Sequence, residues 1–172
     1  EALIFAWAIG VISTVFLAVV VNLVAAALSL AAILFYVFIY TLGLKRRTPQ
    51  NIVWGGAAGA MPALIGWAAV TGDVSWAAVV LFLIVFLWTP PHYWPLSMRY
   101  LDDYKAANVP MLPVVAQGNV VARQIILYAY AYLAATLLLI PVAQMGLIYT
   151  IVAIASGIWF TWESHLLYRQ AV

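Results

Sequence analysis

Charge is what this sequence has least of. Asp, Glu, Lys and Arg together make up 7% of its 172 residues, where a soluble globular domain carries about 25%. A chain this poor in charge cannot cover itself in water. Hydrophobic types make up 68% of it and its mean hydropathy is +1.10, so the bilayer is its expected solvent. Cysteine is absent altogether, which excludes disulfides, thiolate metal centres and a cysteine nucleophile. Also missing are a Walker A pattern, a Gly-x-Gly-x-x-Gly opening a helix after a strand, zinc-ligand spacing, internal repeats and linkers. Nucleotide-binding and zinc-centred classes therefore have no support, and nucleic acid is not an expected partner. One membrane domain over residues 1–172 accounts for the whole chain.

What the sequence has instead is long apolar runs. No charge occurs from Ala2 to Leu44, too long for one span of about 20 residues. The natural break is at Asn22, giving spans near 2–20 and 23–44. Further spans are expected near Ile52–Val70, Val74–Met98, 121–140 and 147–167. The fold class is therefore an all-α polytopic membrane protein with six transmembrane helices. Between them lie a basic loop at 45–51, a turn at Thr71-Gly72-Asp73, a long polar segment from Arg99 to Asn119 and a short connection from Pro141 to Gly146.

Six spans place the loops at 45–51 and 99–119 and the C-terminal tail on one face. That face carries all 7 basic residues: Lys45, Arg46, Arg47, Arg99, Lys105, Arg123 and Arg169. By the positive-inside rule it is the cytoplasmic face of a bacterial membrane, or the matrix face of the mitochondrial inner membrane.

Four patterns carry candidate chemistry. The run Tyr40-Thr41-Leu42-Gly43-Leu44-Lys45-Arg46-Arg47 ends a helix in three cations. They serve either as topological signals that complement the helix dipole or as a grip on a diphosphate. Asp102 and Asp103 are the only adjacent carboxylates. They read either as part of a magnesium–diphosphate site or as solvated charges beside Arg99 and Lys105. In Trp88-Thr89-Pro90-Pro91-His92-Tyr93-Trp94 two prolines remove two backbone donors and are expected to bend or break the span. His92 beside them is a haem ligand, a proton carrier or a pocket hydrogen-bonding residue, against an interfacial histidine in an aromatic belt. Gly55-Gly56-Ala57-Ala58-Gly59 contains a Gly-x-x-x-Gly step, for which helix packing is the expected explanation. Glu163 and His165, near the end of the last span, read as interfacial.

Taken in order, Tyr40-Thr41, Thr48-Pro49-Gln50-Asn51-Ile52, Gly55 to Ala60, Trp88 to Trp94, and Asp103-Tyr104 followed by Val109-Pro110-Met111-Leu112-Pro113-Val114 resemble the signature of the haem O synthase branch of the intramembrane prenyltransferases. The resemblance covers essentially the whole chain. It implies a ring of nine membrane helices, of which this chain would supply six, around a cavity open to the cytoplasmic side and to lipid. It implies transfer of the farnesyl group of farnesyl diphosphate to a vinyl carbon of haem B, with addition of water and release of diphosphate. The implied cofactor is Mg2+ and haem B is a substrate. The implied partners are farnesyl diphosphate, haem B, the lipid bilayer, and the haem A synthase or terminal oxidase assembly that uses the product. Carried over residue by residue, Asp102 and Asp103 would bind the metal, and Tyr40, Lys45 and Arg46 the diphosphate. His92 would face the porphyrin with Tyr93 beside it, and Arg99 and Lys105 would hold diphosphate or a haem propionate.

The sequence departs from that pattern in several ways. An early Asn-x-x-x-Asp-x-x-x-Asp motif is absent, Glu1 falls inside what resembles the third span, and no ninth span follows. The chain is therefore expected to lack two leading spans and the last one, and to be inactive alone. Ala107 stands where relatives carry a second aspartate, which favours Asp103 over Asp102. The step from Tyr40 to Lys45 is one residue longer than in related prenyltransferases. The alternatives are a prenyltransferase acting on a quinone precursor or chlorophyllide, a transporter with broken helices, and a non-catalytic oxidase-assembly subunit. Pro-Pro-His-Tyr-Trp counts against the first. Polar groups gathered on one face count against the second, and paired aspartates beside His92 against the third.

Overall fold

The computed structural model describes residues 1–171. Its elements in chain order are α1 (Ala2–Val21), α2 (Leu23–Leu44), α3 (Asn51–Thr71), α4 (Trp76–Arg99), α5 (Leu101–Ala106), α6 (Leu112–Val115), α7 (Gly118–Val142) and α8 (Leu147–Ala171). No strand occurs among the described residues. The six expected spans are all present, as helices long and apolar enough to cross a membrane. Helices satisfy their own backbone polar groups, which is what hydrocarbon demands.

The break at Asn22 has a physical cause. Its backbone is extended, with φ −164° and ψ 164°, and its side-chain oxygen accepts from the Ala25 N–H at 2.8 Å, capping α2. Its Nδ2 donates to the Ala68 carbonyl at 2.8 Å near the end of α3. The next turn is set by Gly72, whose φ of 78° closes α3 in the left-handed conformation.

Four expectations are corrected. The polar segment 99–119 is not loop throughout, since part of it folds into α5 and α6. Pro113 enters α6 in its first turn, where a missing N–H leaves no bond unmade. Of the expected bend or break at Pro90-Pro91 the break is absent, since α4 runs unbroken through both and through Pro95. Both prolines of the pair are buried, so this stretch of helix lies against protein, where irregular backbone is tolerated. Pro141 belongs to α7 rather than to the connection after it. Lastly, Gly55 and Gly59 do not form one packing face. A Cβ on Gly59 would meet nothing within 4 Å, whereas one on Gly56 would meet Thr89 of α4 at 2.9 Å. The close face is Gly56 with buried Ala60 one turn on.

The long helices pack in chain order: α2 on α3, α3 on α4, α4 on α7, and α7 on α8. The α1 helix has no buried residue. The core lies towards the end that carries α5 and α6. There Trp94, 0% exposed, packs against Val53, Val121 and Ile125 and stands edge-on to Tyr128 with ring centroids 5.5 Å apart.

Candidate functional site at the loop end of the bundle

The last turns of α2 abandon α-helical winding. From Phe35 to Leu44 the helix is π-wound, and the Lys45 N–H donates to the Tyr40 carbonyl, five residues back, at 2.8 Å. Such winding is rare and recurs at functional sites. One π turn takes five residues where an α turn takes four. Tyr40 and Lys45 therefore share a face, which is how this chain absorbs the longer step between them. Tyr36 lies one turn below, its ring centroid 5.3 Å from that of Tyr40.

Tyr40 has three tyrosines near it. Tyr36, Tyr93 of α4 and Tyr104 of α5 all lie within electrostatic range of it. Its ring and hydroxyl rest on α3 at Gly55, where a Cβ would come 2.9 Å from Cε2, 3.0 Å from Cζ and 3.2 Å from the hydroxyl oxygen. Tyr104 also lines a cavity of about 300 Å³ with Arg46, Lys105, Asn108, Val109 and Val114. Two cations from loops far apart in sequence thus reach one concavity, beside an aromatic hydroxyl. Asn108 turns the chain at the cavity edge with φ 53°, a conformation that asparagine accepts more readily than most residues.

Of the residues singled out from the sequence, Arg46 and Lys105 share the cavity with Tyr104, and Tyr40 lies near both Tyr104 and Tyr93. Lys45, Arg99, Asp102 and Asp103 are exposed at the same end but do not line the cavity. His92 joins from the membrane side. Its ring stacks on Trp88 at 4.1 Å and meets Tyr93 edge-on at 5.6 Å. Trp88 in turn lines a second cavity of about 300 Å³ with Tyr132, Ser156, Trp159, Phe160 and Glu163. The Glu163 carboxylate accepts from the Trp159 indole N–H at 3.1 Å. His165 lies apart from this group and bonds the Tyr130 hydroxyl at 3.0 Å.

Sequence reasoning missed Tyr36, Tyr104, Asn51 and the separate use of Gly55. Tyr36 had a signal in its four-residue spacing from Tyr40. Asn51 had one too, as a polar residue opening an apolar run. It is 1% exposed and its Nδ2 donates to the Lys45 carbonyl at 3.1 Å.

The sequence model of the UbiA prenyltransferase family matches residues 1–172. The chain belongs to the UbiA prenyltransferase family. It is similar to curated proteins named protoheme IX farnesyltransferase. One from Clavibacter michiganensis subsp. michiganensis is 72% identical over 172 residues, which is 100% of this chain and 56% of that protein. Another, from Leifsonia xyli subsp. xyli, is 63% identical over the same share of each. The chain thus spans about half the length of the curated relatives it matches. No solved structure matches it.

In this member of the UbiA family the donor set for a metal is small. Among the described residues no three His, Asp or Glu side chains converge. Asp102 and Asp103 occupy the first turn of α5, and neighbouring helical residues do not face the same way. One of the two can bind an ion directly while the other orients its waters. That suits magnesium, which keeps several waters and takes one or two carboxylates plus substrate phosphates. It does not suit an ion that needs a protein cage.

Proposed function

We propose that this chain carries the diphosphate-handling part of a farnesyltransferase that joins farnesyl diphosphate to the vinyl group of haem B, making haem O. The observation that carries the reading is the convergence of Arg46 and Lys105 on one cavity, with Tyr104 in its wall and Tyr40 near Tyr104. A diphosphate needs several fixed positive donors. The names of the similar proteins supply the acceptor.

In this reading Arg46 and Lys105 bind the diphosphate from the cavity wall, Lys45 reaches it from its exposed position at the same end, and Tyr40 donates from its hydroxyl. Arg99 stands nearby for diphosphate or a haem propionate. The C1–O bond of the farnesyl group breaks and its electron pair leaves with the diphosphate. Fixed cations at the edge of a low-dielectric wall stabilise that developing charge more than water does. Mg2+ held by Asp102 and Asp103 would supply Lewis-acid neutralisation of the leaving group. The vinyl π electrons form the new carbon–carbon bond to C1. Water adds to the neighbouring carbon and its proton is released. His92, stacked on Trp88 beside Tyr93, faces the porphyrin, and the aromatic wall limits water to the correct carbon. The basic end faces the cytoplasm of a bacterial membrane, or the matrix of a mitochondrion, by the positive-inside rule.

The test is a conversion assay on the complete gene product in membranes, supplied with haem B, farnesyl diphosphate and Mg2+. Haem products are read by mass, with and without Asp103→Asn. A farnesylated haem that the variant fails to make is the expected result. Absence of any haem product, with transfer to a quinone-type acceptor instead, overturns the substrate. Equal product from both proteins overturns the metal site.

A further inference from the structure

A closed circuit of contacts joins Tyr40 and Lys45 to one face of α3. Asn51 opens α3 and its buried side chain donates to the Lys45 carbonyl at 3.1 Å. The Lys45 N–H donates to the Tyr40 carbonyl at 2.8 Å. The Tyr40 ring then comes back to α3 at Gly55, with Cζ 3.0 Å and the hydroxyl oxygen 3.2 Å from where a Cβ would stand. Asn51 and Gly55 are four residues apart on a helix, so they lie one above the other. One contact fixes the backbone that carries the ammonium group. The other fixes the position of the phenol hydroxyl.

From this circuit we infer that Asn51 and Gly55 are positioning residues for diphosphate binding, acting through Lys45 and Tyr40 without touching the substrate themselves. The inference rests on the proposed diphosphate role of Tyr40 and Lys45. Two details separate it from plain packing. What a Cβ at Gly55 would strike is the far end of the Tyr40 side chain, not backbone. A methyl group there moves the hydroxyl and leaves the fold intact. Asn51 also carries a liability that packing alone does not explain, since its Oδ1 is buried without a hydrogen-bond partner. The one hydrogen bond the Asn51 side chain makes is the contact that ties the Lys45 backbone to α3.

The experiment uses the complete gene product in detergent and measures binding of inorganic diphosphate with Mg2+. Turnover is measured separately, with farnesyl diphosphate and haem B each varied. Gly55→Ala and Asn51→Ala are each expected to weaken diphosphate binding and raise KM for farnesyl diphosphate by about three- to tenfold, the scale of one hydrogen bond. The KM for haem B should stay where it was in both, and so should the thermal midpoint of Gly55→Ala, whereas Asn51→Ala also loses stability because the Lys45 carbonyl is left without its partner. Tyr40→Phe removes the hydroxyl that Gly55 places. Adding Gly55→Ala to it should therefore weaken diphosphate binding no further, because the two act as one unit. The inference is overturned if either single variant binds diphosphate as the parent does, or if the losses of Gly55→Ala and Tyr40→Phe multiply. Its failure is distinct from that of the farnesyltransferase reading: a protein that binds diphosphate but never yields farnesylated haem loses its proposed acceptor and keeps this cradle.

Discussion

Replacing Gly56 by alanine probes the seam between α3 and α4. A Cβ there would lie 2.9 Å from Thr89 Cβ, 3.0 Å from its Cγ2 and 3.1 Å from its Oγ1. Carbon atoms in contact rest about 3.5–4.0 Å apart, so the shortfall is roughly 0.6 Å or more. Thr89 cannot swing aside. The nearest atom is its own Cβ, fixed to the α4 backbone, and its hydroxyl is held by donation to the Val85 carbonyl at 2.9 Å. The helices must part instead, and a gap of about 0.5–1 Å forfeits a quarter to a half of each dispersion contact along the seam. Overpacking of this kind costs about 1–3 kcal/mol. The better helix propensity of alanine returns up to about 1 kcal/mol. A net loss of about 1 kcal/mol is expected, roughly fivefold in the folding equilibrium. Thermal unfolding of the complete gene product in detergent measures it, for Gly56→Ala in the parent and in a Thr89→Gly background. Thr89→Gly removes the opposing Cβ, so Gly56→Ala should be harmless there. The same loss in both backgrounds would show that the seam is not limited by this contact.

Two further variants test the packing and the span break. Trp94→Ala should cost about 3–5 kcal/mol for the cavity left in the core. Trp94→Phe should cost about 1.5 kcal/mol or less, because the indole Nε1 has no partner to lose. Thermal midpoints of the two proteins compare them, and equal damage would mean the indole N–H bonds something after all. Asn22→Ala should cost about 1–2 kcal/mol by losing the α2 cap and the bond to Ala68. Asn22→Ser restores only the cap and should recover about half of that by the same measurement. Full recovery would show that the bond to α3 contributes nothing.

The spans were legible because a membrane helix is defined by apolar length, and Asn22 and Gly72 mark their breaks with chemistry that any reader of sequence can name. The basic loop and the paired aspartates were legible as charge. What lay beyond the sequence was convergence. Nothing in the spacing says that Arg46 and Lys105 share a cavity, since that depends on how α4 and α5 follow α3. Winding was also hidden. The five-residue step from Tyr40 to Lys45 gave no sign that the two are joined by a backbone hydrogen bond of a π turn. The glycines misled for a related reason. Gly55 and Gly59 fit a packing pattern on paper, yet the α4-facing pair is Gly56 and Ala60, and Gly55 serves Tyr40 instead.

These particulars share a cause. In hydrocarbon a polar side chain is costly unless it is paired or close to a surface, so chemistry gathers where the long loops are. That end holds the basic loop, α5 and α6, while the other end has, among the described residues, only short turns at Asn22, at Gly72 and after Val142. The first turns of α3 sit at the junction of the two regimes. Asn51 and Gly55 look towards the polar loop, and Gly56, a step of about 100° round the helix from Gly55, locks against Thr89 in the apolar seam. The precision of the site and the stability of the seam are therefore set on adjacent residues. A substitution that parts α3 from α4 at Gly56 must also carry Gly55, and the Tyr40 ring that rests on it, away from Tyr93 on α4. Loss of stability from Gly56→Ala should accordingly be accompanied by weaker diphosphate binding. Gly55→Ala should weaken that binding with no loss of stability at all.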